Sequence, residues 1–297
     1  MTSHYFPQQL RHAIEIGSIP EMEVIQVKNW NQADGSGSTP LSMACRFGHL
    51  HVVEFLVNQH RVVLNVFDVC KKTPLHVASD QGHAGIVAFL LQAGASQDMC
   101  NSQGETPLVA ACSKGHLSVV KLLLQQASDE QVQKALSAAC FSWKSGCIHV
   151  VQHILDQRHS QPLLNTADGH GRTPLLQVLR AWKYSKDNKV REEKTELMKY
   201  LVTMGATVNA DTFLYATSSE NQSAVYWMVR HHPELWQPLR SLLGNPTPRG
   251  CEDIARRKSS EESSRWTAIL KRDSFDMSPS YHRRRGRRGT MNNPIVP

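Results

Sequence analysis

The sequence predicts an all-α solenoid, one supersecondary unit copied in series and stacked. Three observations predict it. The text KKTPLHVASDQGHAGIVAFLLQAGA, Lys71 to Ala95, has close counterparts in GSTPLSMACRFGHLHVVEFLV and GETPLVAACSKGHLSVVKLLL. The Thr opening each copy falls at Thr39, Thr73 and Thr106, spacings of 34 and 33 residues, and a period held that constant marks a stacked unit. Within each copy apolar pairs recur at helical spacing: Val52-Val53 with Phe55-Leu56, Ile86-Val87 with Phe89-Leu90, Val119-Val120 with Leu122-Leu123.

Each fixed position has a physical reason. Pro after Thr sits in the first turn of a helix, where its missing N–H breaks no ladder bond. The Thr hydroxyl caps free N–H groups at that start. Ala44, Ala78 and Ala111 are small because neighbouring helices approach closely. Gly48, Gly82 and Gly115 end the first helix in a conformation that side-chain-bearing residues avoid. These residues resemble the ankyrin repeat, built on the pattern T-P-L-H-x-A. The resemblance implies two antiparallel helices and a β-turn finger per unit. It also implies a concave binding surface made of finger tips and the exposed edge of the first helices.

Residues 8–37 read as a degenerate N-terminal capping repeat. Leu10, Ala13, Ile14 and Gly17 mimic a first helix and its stop; Met22, Val24 and Ile25 face inward from a second, with Pro20 in its first turn. The array spans 38–232. Divergent units follow the strong ones, near 134, 173 and 211. In the fourth, Ala135, Leu136 and Ala139 align with a first helix and IHVVQHIL with a second. The fifth restarts at GRTPLLQVL and finds its second helix only at ELMKYLVTMGA. The charged residues inserted between, within Ala181 to Thr195, read as a solvated loop projecting from one end of the pair. A final capping unit is expected over 233–270, and a disordered basic tail over 271–297.

Charge is divided unevenly. From Arg249 onward 12 Lys/Arg face 6 Asp/Glu, whereas the preceding residues carry 21 against 20. The repeat body is nearly neutral, so the net charge of +7 belongs mostly to the tail. No apolar run is long enough to cross a bilayer, and the N-terminal text lacks the basic and apolar regions of a signal peptide. Membrane insertion is not expected. Seven cysteines, an odd number without secretory context, point to reduced thiols in the cytosol or nucleus. Cys45, Cys112 and Cys140 each follow the small residue of their unit and read as small buried hydrophobes.

The loops before each Thr repeat as well. Asn31, Asn65, Asp98 and Asn165 stand eight residues upstream of a Thr; Asp34, Asp68, Asn101 and Asp168 stand five upstream. Short side chains bonding their own backbone suit a tight turn, so these residues read as structural rather than as acidic catalysts. Gly37, Gly104 and Gly171 stand two upstream, and Lys71 replaces Gly there in the finger before Thr73, which would distort that loop. The resemblance selects Phe67, Val69 and Lys71 on the fingers as partner-binding residues. On the first helices it selects Arg46, Phe47, His76, Asp80, Gln81, Ser113, Lys114, Phe141 and Trp143. Aromatic anchors dominate interfaces. Phe67 and Phe47 read equally well as packing on the neighbouring unit.

No catalytic constellation is found. His49, His83 and His116 are the Gly-His of the pattern, and local hydrogen bonding at a helix start explains them better than metal. No zinc-protease His pair, no paired Cys-x-x-Cys, no phosphate loop and no Gly-x-Ser-x-Gly elbow occurs. Neither metal nor cofactor is expected. In the tail, Ser259, Ser278 and Thr290 follow kinase-site patterns, and phosphate there would mask neighbouring charge. Arg283, Arg284, Arg285, Arg287 and Arg288 fit a nuclear-import signal, a nucleic-acid contact or a solubilising tail. The expectation is a monomeric, non-enzymatic scaffold or adaptor for a protein partner. The alternatives are a nuclear regulator whose tail contacts nucleic acid, and a substrate adaptor for a ubiquitin ligase.

Overall fold

The computed structural model describes residues 7–25, 27–144, 146–158, 161–208 and 212. All lie within one compact unit spanning Met1–His232. The unit expected near 211 (Thr212 apart), the cap over 233–270, the tail, Ser259, Ser278, Thr290 and the arginines of 283–288 lie outside the described residues. Among the described residues there are thirteen α-helices and no strand. Helix α1 (Gln8–Ile16) precedes α2 (Ile19–Val24), and α3 (Pro40–Phe47) precedes α4 (Leu50–His60). Next come α5 (Pro74–Gln81) with α6 (Ala84–Gln92), α7 (Pro107–Lys114) with α8 (Leu117–Leu123), and α9 (Asp129–Phe141) with α10 (Cys147–Arg158). A short α11 (Gln161–Asn165) leads to α12 (Pro174–Tyr184) and α13 (Asn188–Thr203).

First helices stack in one layer, α1 to α3 to α5 to α7 to α9 to α12, and α4, α6, α8 and α10 form a second. Thr39, Thr73, Thr106 and Thr173 cap α3, α5, α7 and α12, each hydroxyl accepting the N–H three residues on, with Pro at the first helical position. Gly48, Gly82 and Gly115 close α3, α5 and α7 with φ of +83°, +82° and +79°. The core is the facing stripes: Leu41, Leu56, Leu75, Ile86, Leu90, Leu123 and Leu136 are all sealed from solvent. Fully burying such a side chain is worth about 1.5–3 kcal/mol, so each unit depends on its neighbours' faces. Phe89 and Leu122 sit at the margin of their stripe, half-buried.

The Gly-His joint works between units rather than within one. Nε2 of His49, His83 and His116 donates to the carbonyl oxygens of Glu15, Arg46 and Asp80 at 2.8, 3.3 and 3.0 Å, each 34–37 residues back. The expected local bond at the helix start is not what holds these rings.

The later units depart from this plan for a visible reason. Where the strong units place Gly, the fourth and fifth carry Trp143 and Trp182. With no residue suited to a left-handed turn, α12 runs on to Tyr184 and the Ala181–Thr195 insert is not a projecting loop. Only Ser185, Lys186 and Asp187 interrupt the helices; Asp187 then caps α13, accepting from Lys189 N–H at 2.9 Å. The insert folds back onto the stack. Val190 and Lys194 are buried, Glu193 Oε2 accepts from Gly146 N–H at 3.0 Å, and Lys194 Nζ donates to the carbonyls of Ala139 and Cys140 at 3.3 and 3.0 Å.

Cys45, Cys112 and Cys140 are sealed inside the first-helix layer, and Cys147 joins them from α10. Burial pushes the Cys140 thiol up to about 12 and raises Cys45 and Cys112 further still, so all three stay protonated and unreactive.

Candidate partner-binding surface

The fingers are built by one repeated side chain. Oδ1 of Asp34 accepts from the N–H groups of Ser36 and Ser38 at 2.9 and 3.0 Å, and Asp68 from Cys70 and Lys72 at 2.8 and 2.7 Å. Asn101 does the same with Gln103 and Glu105 at 2.9 and 3.0 Å, and Asp168 with His170 and Arg172 at 2.8 and 2.9 Å. Burial opposes ionisation of Asp34 and Asp168. Their hydrogen-bond donors, with Arg11 and Arg172 nearby, outweigh it and hold both carboxyls below the ordinary value. The Asn residues three positions earlier act differently, bridging to the next unit. Oδ1 of Asn31, Asn65 and Asn165 accepts from Val63, Ser96 and Thr207 N–H at 2.8, 3.0 and 2.7 Å.

Lys71 does not distort its finger. It adopts φ +56°, close to the +74°, +75° and +74° of Gly37, Gly104 and Gly171, and its N–H reaches Asp68 O at the same 2.9 Å that Gly37 and Gly171 show. The loop keeps its shape and Lys71 carries the strain. Adjacent tips are also joined: Val69 N–H bonds Ser36 O at 3.2 Å and Ser102 N–H bonds Cys70 O at 2.9 Å. A Cβ on Gly37 would stand 2.9 Å from Val69 N, so that close approach needs glycine.

On this rigid frame Phe67 is 42% exposed and Val69 71%. On the first helices Phe47 is 41% exposed, its ring beside His49, and Trp143 is 55% exposed. Arg46, Gln81 and Lys114 are exposed, and Asp80 lies between Lys72 and Lys114 at 3.8 and 3.7 Å. These pairs are only partly exposed, and they hold Asp80 between two cations. Ser113 is half-buried, its hydroxyl donating to Ala110 O at 2.9 Å. His76, in contrast to the expectation of an exposed site, is only 1% exposed. Its Nδ1 accepts from Thr73 N–H at 3.2 Å and Nε2 donates to Glu105 O at 3.0 Å, which ties α5 to the next finger. Burial holds its pKa below the ordinary histidine value. Such a ring cannot meet a partner.

Residues seven after each Thr form a row, Arg46, Asp80, Ser113 and Arg180, with Phe141 at the matching place in the fourth unit. Arg180 escaped sequence reasoning, although counting seven from Thr173 finds it. Its guanidinium carbon lies 5.3 Å from the Phe141 ring centre, and the Phe141 and Trp143 rings are 6.0 Å apart. No helix of the described residues is long and apolar enough to cross a membrane, and no group of three or more His, Cys, Asp or Glu among them could hold a metal ion.

A sequence model for ankyrin repeats (three copies) matches residues 10–101 and 86–165, more than half of the chain. The chain belongs to the ankyrin-repeat family. An ankyrin repeat is typically a protein–protein interaction module without catalysis. Two curated relatives match parts of it. Alpha-latrocrustotoxin-Lt1a of Latrodectus tredecimguttatus is 37% identical over 59 residues, 20% of this chain and 4% of the toxin. Ankyrin repeat and SOCS box protein 2 of Bos taurus is 32% identical over 74 residues, 25% of this chain and 12% of that protein. The matched stretches thus cover small fractions of both relatives.

Proposed function

We propose that this ankyrin-repeat chain is a non-enzymatic scaffold or adaptor that binds a protein partner, as a monomer, along the finger tips and the row of first helices. The observation that carries it is the exposure of large apolar side chains on both features: Phe67 and Val69 on the finger before Thr73, Phe47 and Trp143 on the helices. Fingers fixed by repeated carboxylate and amide bonds present these groups with little ordering left to do on binding. Capture with the wild type and a Phe47→Ala/Phe67→Ala double variant tests it. Partners are expected to be lost from the variant, since such anchors are worth more than about 1 kcal/mol each when they lie at an interface centre. Equal capture of every partner by a folded double variant removes this surface.

A second reading, delivery of substrates to a ubiquitin ligase, draws on the likeness to ankyrin repeat and SOCS box protein 2. It predicts ubiquitin-ligase activity in material captured with the chain. Captured partners without such activity leave the scaffold reading alone.

A further inference from the structure

The fourth and fifth units, where the pattern is weakest, hold an unusual corner of the first-helix row. Ser142 caps α9 and its hydroxyl donates to Ser113 O at 2.6 Å, which pins the segment that carries Phe141 and Trp143. The Phe141 ring lies half-buried beneath the Arg180 guanidinium, while Trp143 faces solvent. Nη1 of Arg180 is buried and has no hydrogen-bond partner. That nitrogen is closed to a partner, but Arg180 as a whole is only half-buried, and a planar guanidinium held on a ring keeps a fork of donors suited to a carboxylate. Lys114, next to the Ser113 that Ser142 holds, and Lys144, next to Trp143, add positive charge to that of Arg180, against the one carboxylate of Glu193 on Gly146 N–H and that of Asp80 on Lys114.

We propose that this corner receives an acidic segment of the protein partner, one carboxylate against Arg180 and a neighbouring aromatic or large aliphatic side chain against Trp143. The proposal rests on the scaffold reading above and assigns the chemistry of one end of its surface. Trp and Arg are the side chains most often found to dominate interfaces, and here they adjoin through Phe141. Single-stranded nucleic acid also stacks on aromatic rings and pairs with arginine. It needs successive phosphate contacts along a basic track, however, and Asp80 and Glu193 interrupt that track.

The test is selection of short random displayed peptides on the full chain, followed by fluorescence anisotropy of the enriched sequences. Enrichment of Asp or Glu close to an aromatic or large aliphatic residue is expected. Arg180→Gln and Trp143→Ala should each weaken those peptides about tenfold or more, whereas Val63→Ala, an exposed apolar residue beyond α4, should leave them unchanged. Trp143 is exposed, so its variant keeps a folded readout if Arg180→Gln does not fold. Selection of no acidic peptide overturns the proposal, as does binding indifferent to Trp143→Ala. Tighter binding of an oligouridylate that Trp143→Ala abolishes overturns it in favour of nucleic acid. If these outcomes occur while the Phe47/Phe67 variant still loses its captured partners, the scaffold reading stands and only this assignment falls.

Discussion

The His116 imidazole lies across Gly82, and its Nε2–H donates to the Asp80 carbonyl oxygen at 3.0 Å. A Cβ on Gly82 would meet His116 Nδ1 at 2.6 Å, closer than real contacts allow. The same arrangement sets His83 over Gly48 and His49 over Gly17. Gly and His therefore serve two successive units, the glycine of one making room for the histidine of the next. A stack in which each unit touches only its neighbours depends on such joints.

Gly82→Ala should destabilise the fold by about 2–3 kcal/mol. The left-handed φ of +82° accounts for about 1–2 kcal/mol of this, and the loss of the His116 bond for about 1 more. Adding His116→Ala removes the clash but not the backbone strain. The double variant should then lose less than the two single losses added together, read as urea midpoints. Strict additivity would show that the ring and the glycine are not coupled.

Lys71→Gly should raise stability by about 1 kcal/mol, because the loop already has the shape glycine prefers and Lys71 holds a left-handed φ of +56°. Lys71→Ala keeps that strain and should gain nothing. Chemical denaturation of the two variants separates a backbone effect from a charge effect. An equal gain for both would point to the ammonium instead.

His76 makes stability depend on pH in a defined direction. Burial lowers its pKa in the folded chain, so the unfolded chain takes up the proton first as pH falls. Its contribution is fully present above the unfolded value of about 6.5 and is lost as pH drops through that value toward the lower folded one. His76→Gln should therefore cost more at about pH 7.5 than at about pH 5.5, compared by urea midpoint. A cost that does not change between them would mean the ring is solvated in the fold, and a cost larger at about pH 5.5 would mean it is held charged.

Much of this fold can be read from the sequence because each strong unit uses residues with a local mechanism: a Thr cap, a Pro in the first turn, a Gly stop. The fourth and fifth units lose the Gly, and there local reasoning fails. Whether the Ala181–Thr195 insert is loop or helix depends on what Val190, Glu193 and Lys194 meet across the stack, which charge pattern alone does not encode. The surface was partly legible. Phe67 and Val69 are exposed because the finger is fixed by Asp68 beneath them. His76 is hidden because its second nitrogen serves the following unit, a contact 29 residues away. Arg180 was findable by register, but its placement over Phe141 was not.

Lys194 is the strongest case of a residue whose role comes only from the third dimension. Its side chain is 2% exposed, and burial lowers its pKa below the ordinary lysine value. The amine meets the carbonyls of Ala139 and Cys140, in the last turn of a helix that ends without a glycine. Those carbonyls have few donors of their own, and a cation there opposes the negative end of the helix dipole. The stem also fills space between α9 and α13. Lys194→Ala removes both and should cost about 3 kcal/mol, within the range for a buried network that loses a partner. Lys194→Met keeps the stem and should cost about 1–2 kcal/mol, the amount lost when carbonyls forfeit a charged donor. Buried ion-and-dipole contacts can be replaced by apolar groups without loss. Equal urea midpoints for Lys194→Met and wild type would therefore show that packing alone seats the insert. A midpoint between those of the alanine variant and wild type would show that the amine closes α9.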